Sequence, residues 1–197
     1  INFLLNILMT PVFMRAVLLI LVELFIIGAL MYDGFMDTAD GVFSARNRER
    51  CLEIMKDSHV GSNAVIALVC LVLLKVAAFT CIMPLDLTHS LVGLFVTTRT
   101  ILVLYVVNYP YARESGLGKM FKEYAKTWYT YLAFIICLII LLALGLKFFY
   151  CGIITIVLTQ AIAQFLVKQL GGLTGDTYGF LTECGFVIYL LAAVYLI

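Results

Sequence analysis

The chain has 197 residues, of which 64% are hydrophobic and 13% charged, and its net charge is +1; mean hydropathy is +1.10. Soluble domains are about 45–50% apolar and roughly 25% charged, so this composition excludes a water-soluble globule and makes the bilayer the expected solvent. The near-neutral balance also excludes the basic footprint of a nucleic-acid binder.

The opening residues, INFLLNILMT, read as the tail of an earlier span or an interfacial piece, ended by Pro11. The first residue is not Met, and no charged n-region with a cleavage site follows, so the expectation is a truncated or processed start without a signal peptide. Apolar runs near the 20-residue length of a spanning helix follow at 16–32, 62–83, 90–109, 129–146, 149–167 and 183–197. They predict an all-α fold, a polytopic transmembrane helix bundle of about six spans, organised as one catalytic domain over 1–197.

The connections alternate in character. Segments 33–61, 110–128 and 168–182 are long and charged, whereas 84–89 and 147–148 are short. The long segments hold Arg46, Arg48, Arg50, Lys56, Arg113, Lys119, Lys122, Lys126 and Lys168, against only Arg15 and Lys147 on the opposite side. Positive charge is retained on the cytoplasmic side, so all three long loops are expected there, in a multi-pass protein.

The first long loop opens YDGFMDTADG. If the first span continues as helix through it, Asp33, Asp37 and Asp40 stand at i, i+4 and i+7 on one face. Like charges so placed repel, and a divalent cation converts that repulsion into coordination. Mg²⁺ takes carboxylate oxygens and fills its remaining positions with water and substrate phosphate. The next piece, SARNRERCLEIMKDS (44–58), read as a helix, places Arg46, Arg50, Glu53 and Asp57 on one stripe, with Lys56 beside it. Guanidinium forks match phosphate oxygens, and carboxylates hold metal, so the two pieces together suit a metal-bridged pyrophosphate. The bland alternative for 44–58 is a solvated face carrying weak salt bridges.

In the second long loop, PYARESGLG (110–118) offers Arg113 as an anion ligand, while Lys119, Lys122 and Lys126 suit headgroups, and Trp128 and Tyr129 read as interfacial aromatics. In the third, LGGLTGDTYG (170–179) offers backbone N–H groups at Gly171, Gly172 and Gly175 for phosphate, with Thr174 and Asp176 able to contact a ribose, base or metal. It lacks the G-K-[ST] of a Walker loop. Glu23, Lys75 and Arg99 fall inside spans, where a charge costs about 2.5–3.5 kcal/mol on insertion scales. Lys75 is therefore expected to snorkel or to pair with Glu23, and Arg99 to serve either substrate or an ion pair. The six cysteines read as small buried hydrophobes, and His59 and His89 form no metal-ligand pair.

The arrangement D-x-x-D-G, then A-R, then two acids four apart (Asp37, Asp40, Gly41, Ala45, Arg46, Glu53, Asp57) resembles the signature of CDP-alcohol phosphotransferases, with altered spacing and Glu53 opening the second pair. Four longer strings, DGFMDTADGVF, RCLEIMKDSHVG, PYARESGLGKMF and LGGLTGDTYGFLTE, in this order between about Gly28 and Glu183, more closely resemble the adenosylcobinamide-GDP ribazoletransferase (cobalamin synthase) family. Met31 in GALMYDG and His59 in DSHVG stand where that family commonly has histidine and arginine. The family's usual first span is not represented.

That resemblance implies a membrane transferase of the EC 2.7.8 type in the bacterial or archaeal cytoplasmic (inner) membrane. It would join adenosylcobinamide-GDP to α-ribazole or its 5′-phosphate, with Mg²⁺ as cofactor, the bilayer as partner, no nucleic acid, and self-association left open. In that reading Asp33, Asp37, Asp40, Glu53 and Asp57 are the catalytic and metal-binding carboxylates, with Asp57 the favoured base. Arg46, Arg50, Lys56, Arg113, Gly171, Gly172, Thr174, Gly175 and Asp176 bind substrate. A phospholipid-type CDP-alcohol phosphotransferase is the alternative, and a small-solute transporter the alternative from another class. Transport is disfavoured by the gathering of polar residues in loops and by the absence of an evident inverted repeat.

Overall fold

The computed structural model describes residues 1–27 and 29–197; Gly28, from about which the family resemblance runs, lies outside the described residues. Among the described residues the regular secondary structure is helical apart from one isolated bridge. The helices are α1 (Asn2–Ile7), α2 (Val12–Ile27), α3 (Leu30–Phe43), α4 (Arg48–Ile54), α5 (Ser62–Cys81), α6 (Pro84–Asn108), α7 (Leu117–Tyr124), α8 (Trp128–Leu144), α9 (Leu146–Leu170) and α10 (Gly175–Leu196). Four of them (α5, α6, α9 and α10) are long and apolar enough to cross a membrane, and six spans result if α2 with α3 and α7 with α8 each count as one. Large apolar side chains such as Phe25, Leu73, Leu85, Ile139, Val157 and Tyr195 face outward, as a lipid-facing surface requires.

Local chemistry sets the hairpins. Pro84 occupies the first turn of α6, where its missing N–H costs nothing, so only Ile82 and Met83 separate α5 from α6. Gly145, at φ 123°, turns α8 directly into α9. At the far end of α9, Gly171 takes the left-handed conformation (φ 75°) and ends the helix. Thr174 then starts α10 through a reciprocal capping box with Thr177. The expected loop 168–182 therefore contracts to four residues, and the last span starts at Gly175 instead of 183. Hydropathy stopped short there because the polar residues that cap and open α10 lower the local average.

The first long loop is also more structured than expected. Its acidic part forms α3, which leaves α2 at 96°. The helix expected over 44–58 is confined to Arg48–Ile54. Ala45 sits at φ 54°, and the Asn47 side chain accepts the Arg50 N–H at 3.1 Å to cap the helix. Arg46 precedes this cap and Asp57 lies beyond the C-terminus, so the single stripe Arg46–Arg50–Glu53–Asp57 does not form.

α10 is the central helix, packed on α3, α9, α6 and α5. One apolar core gathers Phe35, Ala39, Leu166, Leu170, Tyr178 and Leu181, and a second gathers Leu19, Phe79, Leu94, Leu141, Phe186 and Tyr189. The three polar segments meet at one end of the bundle. The Arg113 side chain of the second segment reaches the Met55 carbonyl oxygen of the first. Ala112 N–H donates to Leu173 carbonyl, and Leu173 N–H to Pro110 carbonyl, each at 2.8 Å. This convergence accords with the sequence expectation that the long loops share one side.

Candidate active site

The acidic face of α3 forms one wall of the site because its other face is locked onto α10. A Cβ on Gly34 would lie 2.7 Å from the Asp176 carbonyl oxygen, and one on Gly179 would lie 2.8 Å from that of Met31. Glycine at both positions lets the two backbones touch, and Phe35 stacks on Phe180 with ring centroids 5.0 Å apart. Held so, α3 presents Asp33, Asp37 and Asp40 to a cleft of about 310 Å³, also lined by Met36, Lys56, Asp57, Ser58, His59, Val60 and Ala64.

The carboxylates in this cleft differ in what they already hold. Asp40 accepts the Gly61 N–H at 2.6 Å and the Ala64 N–H at 2.9 Å, so it caps α5 from across the cleft. Asp57 accepts the His59 backbone N–H at 3.0 Å and stands 2.6 Å from His59 Nδ1. These bonds, the backbone one foremost, hold its carboxyl below the ordinary aspartate range. Among the described residues, the Asp33 and Asp37 carboxylates make no hydrogen bond or ion pair. Asp37 feels the charges of Asp33, Asp176 and Asp40, opposed by that of Arg113.

The second and third loops close the site's flank. Arg113 Nη2 lies 2.7 Å from Asp176 Oδ2 and 3.4 Å from the Met55 carbonyl oxygen. One guanidinium thus ties the 110–113 segment to the first turn of α10 and to the end of α4. Gly172 and Thr174 are buried beneath this junction, and Gly171 and Gly175 are exposed. The tight packing of Gly172 on Pro110 and the use of Thr174 as a cap make both structural in this conformation.

The remaining expectations distribute unevenly. Glu53 does not line the cleft and pairs with Arg50 at 2.8 Å, both well exposed, and Arg46 is exposed outside the cleft. Lys56 does line it. Two contributors escaped the sequence reading. Arg48 lies over the α9 terminus, where a Cβ on Gly171 would come 2.7 Å from its Cζ. His59, marked only as a departure from a pattern, is the residue that holds Asp57. Neither position carries a periodicity or spacing signal.

The donor set can be tested against Mg²⁺. Every candidate ligand is a carboxylate oxygen, the hard donor this ion prefers. Among the described residues no three such side chains group closely enough to enclose a metal, so five converging carboxylates are not what the fold presents. An ion held by one or two carboxylates, with water and substrate phosphate completing its shell, needs less. Asp33 and Asp37, one helical turn apart and uncommitted, meet that requirement. Asp40 sits one turn further on and keeps a second lone pair on each oxygen.

Below the site lies a buried ionic cluster. Lys75 Nζ is 2.7 Å from Glu23 Oε1, 2.6 Å from Glu183 Oε2 and 2.9 Å from the Tyr32 hydroxyl. The expected Glu23 pairing is present, and Glu183 adds a second carboxylate that joins α2, α5 and α10. Arg99 is half-buried and makes no ion pair among the described residues.

The sequence is also similar to known proteins. A family model described as cobalamin-5-phosphate synthase matches residues 1–194. A Desulforamulus reducens protein named adenosylcobinamide-GDP ribazoletransferase is 43% identical over 160 residues, covering 79% of this chain and 63% of its own. Relatives of the same name from Clostridium novyi (36% over 178 residues; 89% of this chain, 71% of theirs) and Klebsiella pneumoniae strain 342 (38% over 170; 84% and 68%) are similar. The chain thus spans roughly two thirds of the length of these relatives. No solved structure matches it.

Proposed function

We infer what this chain does from one premise: it belongs to the cobalamin-5-phosphate synthase family. Its proposed activity is the transfer named for its relatives, joining adenosylcobinamide-GDP to α-ribazole or its 5′-phosphate with release of GMP. The observation that carries this reading is the cleft itself. Four aspartates line it at the loop end of a helix bundle, two of them uncommitted, with Lys56 on the rim.

In the reaction, a ribazole hydroxyl oxygen forms a bond to the phosphorus on the corrinoid side of the pyrophosphate. The bond from that phosphorus to the oxygen bridging to GMP breaks, and the hydroxyl proton passes to a base. Catalysis of this kind is mostly positioning and charge neutralisation. Asp33 and Asp37, with Asp40 adjoining, would hold Mg²⁺, which when bound supplies neutralisation of the pyrophosphate charge. Lys56 supplies a further cation at the cleft. Arg113, pinned by Asp176 and the Met55 carbonyl, fixes the second loop against the third. Asp57, the cleft aspartate outside this ion-holding set, is the one left to take the proton, with His59 lowering its basicity. Arg46 and Arg50 remain available to a bound nucleotide only through movement of the exposed α4 segment.

We place the loop end in the cytoplasm of a bacterial or archaeal cell and the bundle in its cytoplasmic membrane, because the basic residues concentrate there. The test is direct. Protein reconstituted in lipid is given adenosylcobinamide-GDP, α-ribazole 5′-phosphate and Mg²⁺, and GMP release is followed. Release of CMP from a CDP-alcohol instead, or solute flux without turnover, would replace this reading.

A further inference from the structure

Helix α7 has no role in the chemistry above, yet its pattern is specific. Leu117, Met120, Phe121 and Tyr124 recur at i, i+3, i+4 and i+7 and form one apolar face. All four are exposed, at 67%, 55%, 66% and 78%. The opposite flank is tied to protein. Lys122 Nζ lies 3.1 Å from the Val107 carbonyl oxygen, at the end of α6, and Gly118 is buried against the Tyr111 ring and the Gly175 N–H. α7 also meets α8 at 92°, and α8 opens with exposed Trp128, Tyr129, Tyr131 and Leu132.

We propose that α7 is an in-plane membrane helix, its apolar face seated in the headgroup–acyl boundary of the leaflet that α8 enters. The occupant is lipid because the exposed face of α7 continues into the outward apolar face of α8 (Ile135, Ile136, Ile139). The helix lies across a span end, where aromatic and basic side chains collect. Lys126, exposed just beyond the helix, has the stem and charge to reach phosphate from that depth. Through Gly118 the leaflet surface then bears on Tyr111 and Gly175, immediately beside the Arg113–Asp176 pair.

The experiment uses the single tryptophan. In a Trp128→Phe background, Phe121→Trp and, separately, Leu117→Trp and Glu123→Trp are reconstituted in phosphatidylcholine vesicles with and without lipids brominated near the top of the acyl chains. The expected result is blue-shifted emission with strong lipid quenching at 117 and 121, and weak lipid quenching with strong quenching by aqueous iodide at 123. Water-like emission at 117 and 121, quenched by iodide alone, would overturn the proposal. Shielding of both positions from lipid and iodide alike would also overturn it, in favour of a covering protein or second copy. Reading three positions on one short helix guards against one variant that fails to fold.

Discussion

Arg113 and Asp176 form a 2.7 Å ion pair between segments 63 residues apart, and the same guanidinium reaches the Met55 carbonyl. Both side chains are mostly buried, so removing one partner leaves the other desolvated and unpaired. Arg113→Ala is expected to destabilise the protein by about 2–3 kcal/mol, as leaving a desolvated charge without its partner does, and to reduce turnover at least tenfold. Arg113→Lys, which keeps charge but loses the fork, should recover only part of the turnover. Thermal unfolding in detergent alongside GMP release checks both effects, and wild-type turnover in Arg113→Ala would remove this pair from the site.

Asp33 and Asp37 are the uncommitted carboxylates of the cleft, and Asn at either position keeps size while removing charge. Each substitution should lower kcat by roughly two orders of magnitude or more, the scale of losing one electrostatic stabiliser, and raise the Mg²⁺ concentration for half-maximal rate. Neither should lower the unfolding temperature, since neither carboxylate holds a protein group. Glu53→Gln, by contrast, breaks only an exposed pair with Arg50 and should change stability by less than about 1 kcal/mol, with turnover close to wild type. A Mg²⁺ titration of all three variants distinguishes a two-aspartate centre from one that includes Glu53.

Asp40 separates capping from metal binding. Asp40→Ala frees the Gly61 and Ala64 N–H groups at the start of α5, a loss of about 1–2 kcal/mol for a helix N-terminal cap. Asp40→Asn can still accept one of the two. Stability should therefore fall in the order Asp, Asn, Ala, while the Mg²⁺ requirement of Asp40→Asn shifts less than that of Asp33→Asn. Equal shifts would make Asp40 an ion ligand of the same rank.

What the sequence made legible was whatever repeats or persists along the chain. Long apolar runs located the membrane helices, and the i, i+4, i+7 spacing put Asp33, Asp37 and Asp40 on one face of α3. Charge counting brought the three loops to one end. What it concealed depends on atoms distant in sequence or on single backbone torsions. The positive φ of Ala45 and the Asn47 cap cut the 44–58 stripe short, and the Gly171 and Thr174 caps shortened the third loop. The commitment of Asp40 to α5 and of Asp57 to His59 requires the folded cleft. Glu183 read as the edge of a span, and only the packing of α5 on α10 shows it as a partner of Lys75.

Lys75 is fully buried between Glu23 and Glu183, and the Tyr32 hydroxyl completes its shell. The cluster joins α5 to α2 and α10, and through Tyr32 it reaches α3, the helix that carries the cleft aspartates. Lys75→Met would leave two carboxylates facing each other without an ammonium, and removing one partner of a buried pair costs about 3–5 kcal/mol. Loss of folded protein, with turnover falling as α3 loosens, is the expected outcome. Replacing the whole group by neutral residues of similar shape (Lys75→Met with Glu23→Gln and Glu183→Gln) removes the uncompensated charge and should restore most of the stability, as for other buried ionic groups. Unfolding temperatures of the single and triple variants, read beside GMP release, decide the matter. A triple variant no more stable than Lys75→Met would mean the ion pairs themselves, beyond charge balance, hold α3 against the bundle.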